Sequence, residues 1–150
     1  MRIALGADHA GYGLKEEIKS FLRQKKIDCH DFGTYNASST DFPDWGIKVA
    51  EVVAKNEFER GILVCGTGLG MCLVANKVPG IRATPCYGIF AARLSREHNN
   101  SNILVLGARI TAKDLALRIV ETWLAAEFMG GRHQERLEKL AAIEKKYSRG

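Results

Sequence analysis

The stretch "ILVCGTGLGMCL", residues 62–73, decides how this chain is read. An apolar run of β-type residues ends on Cys65, and glycines follow at 66, 68 and 70. The run reads as a buried strand over 61–65, with a short helix over 70–78 beyond the glycines. In open parallel sheets, ligands bind beyond the carboxyl ends of strands, and Cys65 occupies such an end. Glycines there let the backbone approach a ligand closely, and the following helix offers unpaired N–H groups to an anion.

Outward from this stretch, strands and helices alternate. Residues 3–6 open the chain as a strand. Leu14, Ile18, Phe21 and Leu22 then give one apolar stripe to a helix over about 12–25. A weaker strand is expected over 27–32. A loop follows, and Pro43 suits the first turn of a helix running to about Asn56. Strands over 80–84 and 102–107 bracket a helix over 88–98. Thr111, with Asp114 three residues on, predicts an N-cap for a helix reaching about Phe128. "MGGR" interrupts the chain before a charged helix over roughly 133–147. Alternation of this kind implies parallel pairing with right-handed crossovers. The expected fold is α/β, a single domain over 1–150: a doubly wound, Rossmann-like three-layer sandwich on a five-stranded parallel sheet. The last helix has only a thin apolar stripe (Leu137, Leu140, Ala141, Tyr147), which hints that it packs on a partner subunit rather than on its own core.

Composition narrows the class. The 150 residues are 46% apolar and 26% charged, as in ordinary globular chains. No apolar run approaches the ~20 residues that span a bilayer, and the first residues do not read as a signal peptide, so a cytoplasmic protein without a membrane partner is expected. Four cysteines without CxxC spacing are expected to be free thiols. The net charge of +5 is spread along helices and interleaved with Glu. A small anionic ligand uses it better than nucleic acid does.

Familiar phosphate loops fail by spacing. A dinucleotide fingerprint needs a third glycine at 71, where Met71 stands. A P-loop through Gly6 and Gly11 needs lysine where Tyr12 stands, and a phosphatase loop needs arginine at 71. What remains is a thiol facing backbone donors. That arrangement suits removal of a proton beside a carbonyl, with N–H groups holding the enediolate oxygen that develops. The plainer reading is a buried cysteine packed as a small hydrophobe beside a tight turn. A helix N-terminus contributes ~0.3–1 kcal/mol to a charge, too little to secure a thiolate, so a nearby cation or backbone N–H bonds are expected to help.

Other polar clusters carry two readings each. Asp8 and His9, in "GADHAG", follow the first strand on the same sheet edge as Cys65; they either address a ligand or form a helix cap. His98 and Asn99 precede the fifth strand, at the opposite edge. They are either a polar helix end or part of a neighbouring subunit's site. Arg132 and Arg136 lie one helical turn apart beside His133, and either clamp a phosphate or form a solvated face. "CHD" (29–31) matches no tetrahedral metal spacing, so neither metal nor cofactor is expected.

Together "GADHAG", "DFPD", "CGTGLGM", "ANKVPGIRA", "SREHNNSN" and "GGRHQERL" resemble the family of ribose-5-phosphate isomerase B and the galactose-6-phosphate isomerase subunits, over nearly the whole chain. The resemblance implies aldose–ketose interconversion, with ribose 5-phosphate and ribulose 5-phosphate as the expected pair. It implies Cys65 as the base, His98 as the ring-opening group, and Thr67 and Asp8 beside them in the catalytic set. Gly66, Thr67, Gly68 and Gly70 form the implied anion cradle, and Asp8 and Asn99 bond sugar hydroxyls. His9, Arg109, Arg132 and Arg136 take the phosphate. The family's dimers or tetramers imply sites shared between subunits, with His98, Asn99 and Arg109 coming from the partner. Phe42 stands where the family often has tyrosine, Cys72 where serine is frequent, and "TPCYG" (84–88) replaces a more usual acidic-ended segment. These departures keep six-carbon sugar phosphates open as substrates. A sensor without catalysis is the competing class, and it has no need of a thiol at 65.

Overall fold

The computed structural model describes residues 1–148. Five parallel strands, β1 (Arg2–Ala7), β2 (Asp28–Asp31), β3 (Arg60–Cys65), β4 (Ala83–Pro85) and β5 (Ile103–Gly107), form one sheet in the order β2-β1-β3-β5-β4. Six helices join them: α1 (Tyr12–Gln24), α2 (Phe42–Ala54), α3 (Leu69–Ala75), α4 (Ile89–Glu97), α5 (Lys113–Ala125) and α6 (Arg132–Tyr147). This is the doubly wound α/β architecture expected from the alternation.

Both faces of the sheet are covered, which is why β3 and β5 read as continuous apolar runs. Ile62, Val64, Leu104 and Leu106 pack under α1 and α5 with Ile18, Leu22, Ile119 and Trp123. The alternate residues Leu63, Cys65, Ile103 and Val105 pack under α2 and α3 with Val49, Val53, Met71 and Ala75. Cys65 therefore points to the α2–α3 side.

The strand order fixes where a ligand can enter. From β1 the chain crosses to β2 on one side, and from β3 it crosses toward β4 on the other. The order reverses between β1 and β3, and the crevice beyond their carboxyl ends is the place such sheets bind ligands. Gly11 lets α1 start close over this crevice: a Cβ there would lie 2.3 Å from the Val64 carbonyl oxygen.

Several boundaries differ from expectation, each for a local reason. β4 begins at Ala83 because the Asn102 side chain occupies the preceding backbone. Its Oδ1 accepts from the Arg82 N–H at 2.7 Å, and its Nδ2 donates to the Gly80 carbonyl at 2.9 Å. Thr111 does not cap α5. Ala112 holds that position, while the Thr111 N–H donates to the Gly107 carbonyl and its hydroxyl is buried without a partner among the described residues. α5 ends at Ala125 because Ala126 turns extended (φ −75°, ψ 140°).

α1 holds a charge inside. Lys15 is fully buried, and its ammonium reaches Asp31 on β2 and Glu16. Burial raises the Asp31 carboxyl, but Lys15, Lys19 and the Gly33 N–H outweigh it and hold the group below its ordinary value. Breaking a buried pair of this kind typically costs ~3–5 kcal/mol, so the network pins β2 and the loop beyond it to α1. That loop returns to β1, where the Ala7 N–H donates to Gly33 and the Thr34 N–H to Ala7, directly before Asp8.

Candidate active site

At the carboxyl edge, β3 delivers Cys65 and then the turn 66–70. Cys65 is buried. Gly68 starts α3 in the left-handed region (φ 84°), where a side chain would be strained. The Thr67 hydroxyl accepts from the Leu69 N–H at 3.3 Å. The N–H groups of Thr67 and Gly68 have no acceptor among the described residues, so the turn leaves two backbone donors unspent. The neighbouring β5 loop clasps it from below. The Ala108 N–H donates to the Cys65 carbonyl at 2.8 Å and the Arg109 N–H to the Gly66 carbonyl at 2.9 Å.

Arg109 is the next residue of that loop. Its guanidinium lies against the turn of its own chain: a Cβ built on Gly66 would sit 3.2 Å from an Arg109 terminal nitrogen. Following β5, Arg109 belongs to the same edge as Cys65 and lies against Gly66.

β1 delivers Asp8 and His9 to the same crevice. Asp8 is buried, and its Oδ1 accepts from the Gly11 N–H at 3.0 Å, so it braces the turn into α1 without being the cap residue. His9 Nδ1 lies 3.1 Å from both the carbonyl and the N–H of Thr40, which fixes the ring and leaves Nε2 unengaged among the described residues.

Phe42, which the resemblance already ties to substrate choice, and Tyr87, which the sequence does not single out, flank the glycine turn. Phe42 packs on Gly70, where a Cβ would meet its ring at 2.9 Å. The wall at that point is apolar and carries no hydroxyl. On the other side, the Tyr87 hydroxyl donates to the Thr67 carbonyl at 2.9 Å. Burial raises the Tyr87 hydroxyl above its ordinary value, and the fields of Cys72, Cys65 and Cys86 add to it. Burial likewise pushes up the Cys72 thiol, against the Asn76 amide that donates to it. Tyr87 could have been suspected only as a residue just past the carboxyl end of β4.

The amino edge carries a second cluster. His98 closes α4, its N–H donating to the Leu94 carbonyl at 2.8 Å, and exposed Asn99 follows. The Met129 N–H donates to the Glu97 carbonyl at 3.0 Å, bringing the start of α6 alongside. Buried Arg96 locks this junction through the Ser101 carbonyl, Asn100 Oδ1 and the Ala126 carbonyl. Burial, then Arg60 and Arg82, push its guanidinium down to about 10. The glycine pair 130–131 turns the chain at φ 67° and 57°. His133 then stacks on His98, with ring centroids 4.2 Å apart and planes 10° apart. Arg132 and Arg136 stand exposed beside the pair.

The candidate residues therefore form two groups, not one. Asp8, His9, Cys65, Gly66, Thr67, Gly68, Gly70 and Arg109 meet at the carboxyl edge; His98, Asn99, Arg132 and Arg136 meet at the amino edge. A groove of about 540 Å³ lies at neither centre. It runs between α6 and the β4 edge, lined by Ile81, Ala83, Leu137, Leu140 and Ile143, with Asn99 at its rim. "CHD" is spent on structure: Asp31 takes Lys15 and Lys19, and His30 packs edge-on against Phe32.

The chain matches the family model described as "Ribose/Galactose Isomerase" over residues 3–140. It is 45% identical to ribose-5-phosphate isomerase B of Escherichia coli, over 97% of each chain. It superimposes on the Clostridium thermocellum ribose-5-phosphate isomerase B with a TM-score of 0.97 at 57% identity, covering 99% of this chain and 100% of that one. The Mycoplasma genitalium ribose-5-phosphate isomerase B, solved with bound ribulose 5-phosphate, matches with a TM-score of 0.92 at 40% identity over 96% of each chain.

Proposed function

The chain belongs to the ribose/galactose isomerase family, and from that premise we propose that it interconverts D-ribose 5-phosphate and D-ribulose 5-phosphate by proton transfer at Cys65. One observation carries the chemistry: a buried thiol at the sheet's switch point, directly before a turn in which the Thr67 and Gly68 N–H groups have no acceptor among the described residues. Cys65 takes the proton from C2 of the open aldose and returns it to C1. The Gly66–Gly70 backbone holds the oxygen on which negative charge develops. Arg109 lies beside Gly66 and adds a positive charge at the start of this turn. Asp8 and Thr67 orient the sugar hydroxyls at this edge, and His9 reaches the substrate with its unengaged Nε2.

The amino-edge cluster completes the site of a second copy. A single chain holds its thiol and its His98 at opposite ends of the parallel sheet, so one substrate cannot touch both within it. In a two-fold dimer the amino edge of one copy can meet the carboxyl edge of the other. His98 then opens the sugar ring, Asn99 bonds a hydroxyl, and Arg132 and Arg136 take the phosphate. Support comes from α6, which packs only loosely on its own chain and leaves Leu140, Ile143 and Tyr147 exposed. In this reading residues 1–150 work as one isomerase domain. The four free cysteines suit a reducing, cytoplasmic setting. Among the described residues no helix is long and apolar enough to cross a membrane.

The test is coupled turnover on five- and six-carbon sugar phosphates, with Cys65→Ala beside the parent. Ribose 5-phosphate should give the highest kcat/KM. Cys65→Ala should lose ~10²–10⁴-fold in kcat while still binding sugar phosphate, the usual worth of a positioned general base. Turnover by Cys65→Ala within a few-fold of the parent at saturation sinks the assignment and favours a sensor. A higher kcat/KM on a hexose 6-phosphate reassigns the substrate.

A further inference from the structure

His98 ends a helix, and neither of its ring nitrogens is hydrogen-bonded among the described residues. A catalytic imidazole is commonly oriented by a hydrogen bond to its second nitrogen, and here nothing polar fixes the plane of His98. What lies against it is His133, 4.2 Å away and nearly parallel. His133 is the more deeply buried of the two. Its side chain is 5% exposed, and its N–H donates to the Gly130 carbonyl at 3.1 Å, at the turn made by the glycine pair.

We propose that His133 is a positioning residue that sets the ring plane of His98 by stacking, and so governs ring opening without touching substrate. The inference rests on the reading of His98 as the ring-opening group. In that step the bond from C1 to the ring oxygen breaks, the ring oxygen gains a proton, and the anomeric hydroxyl loses one as C1=O forms. One imidazole can serve both transfers only if its plane is aligned with both oxygens. His133 also suits the place electrostatically. Burial, then His98, Arg132 and Arg136, hold its imidazole below its ordinary value, which disfavours a second positive charge in the stack.

Ring opening can be separated from proton transfer at carbon. Ribulose 5-phosphate is phosphorylated at C5 and has no hydroxyl that can close a five-membered ring on C2, so it is acyclic. Exchange of its C1 hydrogen with deuterium oxide reports Cys65 alone, while turnover of ribose 5-phosphate requires the opened ring. His133→Ala should lower ribose 5-phosphate turnover about tenfold, as a misaligned group does, and leave C1 exchange within about twofold of the parent. His133→Phe, which keeps a flat ring in the stack, should restore turnover to within about threefold of the parent. Parent-like turnover in His133→Ala, parallel loss of exchange and turnover, or failure of His133→Phe to recover would each overturn the proposal. His98→Asn is the companion: if it turns over ribose 5-phosphate normally, the reading of His98 fails. If it is impaired while His133→Ala is not, only the role of His133 falls.

Discussion

At the carboxyl edge of the sheet the functional groups hang from strand ends and are clasped by backbone: Cys65 and Gly66 accept from the β5 loop, Asp8 braces Gly11, and Thr40 fixes His9. At the amino edge they hang from helix ends, with Arg132 and Arg136 in solvent and His98 oriented by a stacked ring. The first arrangement is rigid and suits bond-making chemistry, where sub-ångström placement matters. The second is adjustable and suits recognition of a dianion, which flexible guanidinium groups can enclose. The contrast predicts that carboxyl-edge substitutions act on kcat, and that the arginines of the amino edge act on KM.

Loss of the thiol is the largest effect expected on the first side. On the second, Arg132→Ala and Arg136→Ala should each raise KM for ribose 5-phosphate by about 10–150-fold with kcat nearly unchanged, because a charge-assisted hydrogen bond contributes ~1.5–3 kcal/mol and the phosphate is remote from C1 and C2. Steady-state kinetics on ribose 5-phosphate and on unphosphorylated ribose checks this. Equal losses on both sugars would make these arginines supports of the fold or of the subunit contact. The smallest effect tests the clasp itself. Tyr87→Phe removes the hydroxyl that donates to the Thr67 carbonyl. A neutral hydrogen bond contributes ~0.5–1.5 kcal/mol, so kcat should fall about two- to tenfold while KM and Tm hold. A change confined to KM would move Tyr87 from loop support to substrate contact.

The two edges also differ in how far the sequence discloses them. The alternation of elements was legible because a parallel sheet covered on both faces forces unbroken apolar strands, as in "ILVC" and "ILVLG". The turn after Cys65 was legible because its glycines serve backbone geometry that is local in the chain. β4 was misplaced because Asn102, about twenty residues on, satisfies the backbone before it. Arg109 follows β5, so strand direction alone places it on the same edge as Cys65. Tyr87 and His133 were out of reach for a different reason. Each acts through a tertiary contact, from the loop after β4 to the loop after β3 and from α6 back to the end of α4, and neither contact leaves a periodic trace.

The central claim is that the two edges meet across subunits, and hybrid dimers test it directly. Cys65→Ala and His98→Asn chains, each inactive alone, are dissociated, mixed in equal amounts and reassembled, with subunit exchange confirmed by mass. Two-fold symmetry gives every heterodimer one site with both groups intact, so activity should return to roughly a quarter of the parent level. Mixtures that exchange subunits and stay inactive would contradict the account and confine each site to a single chain.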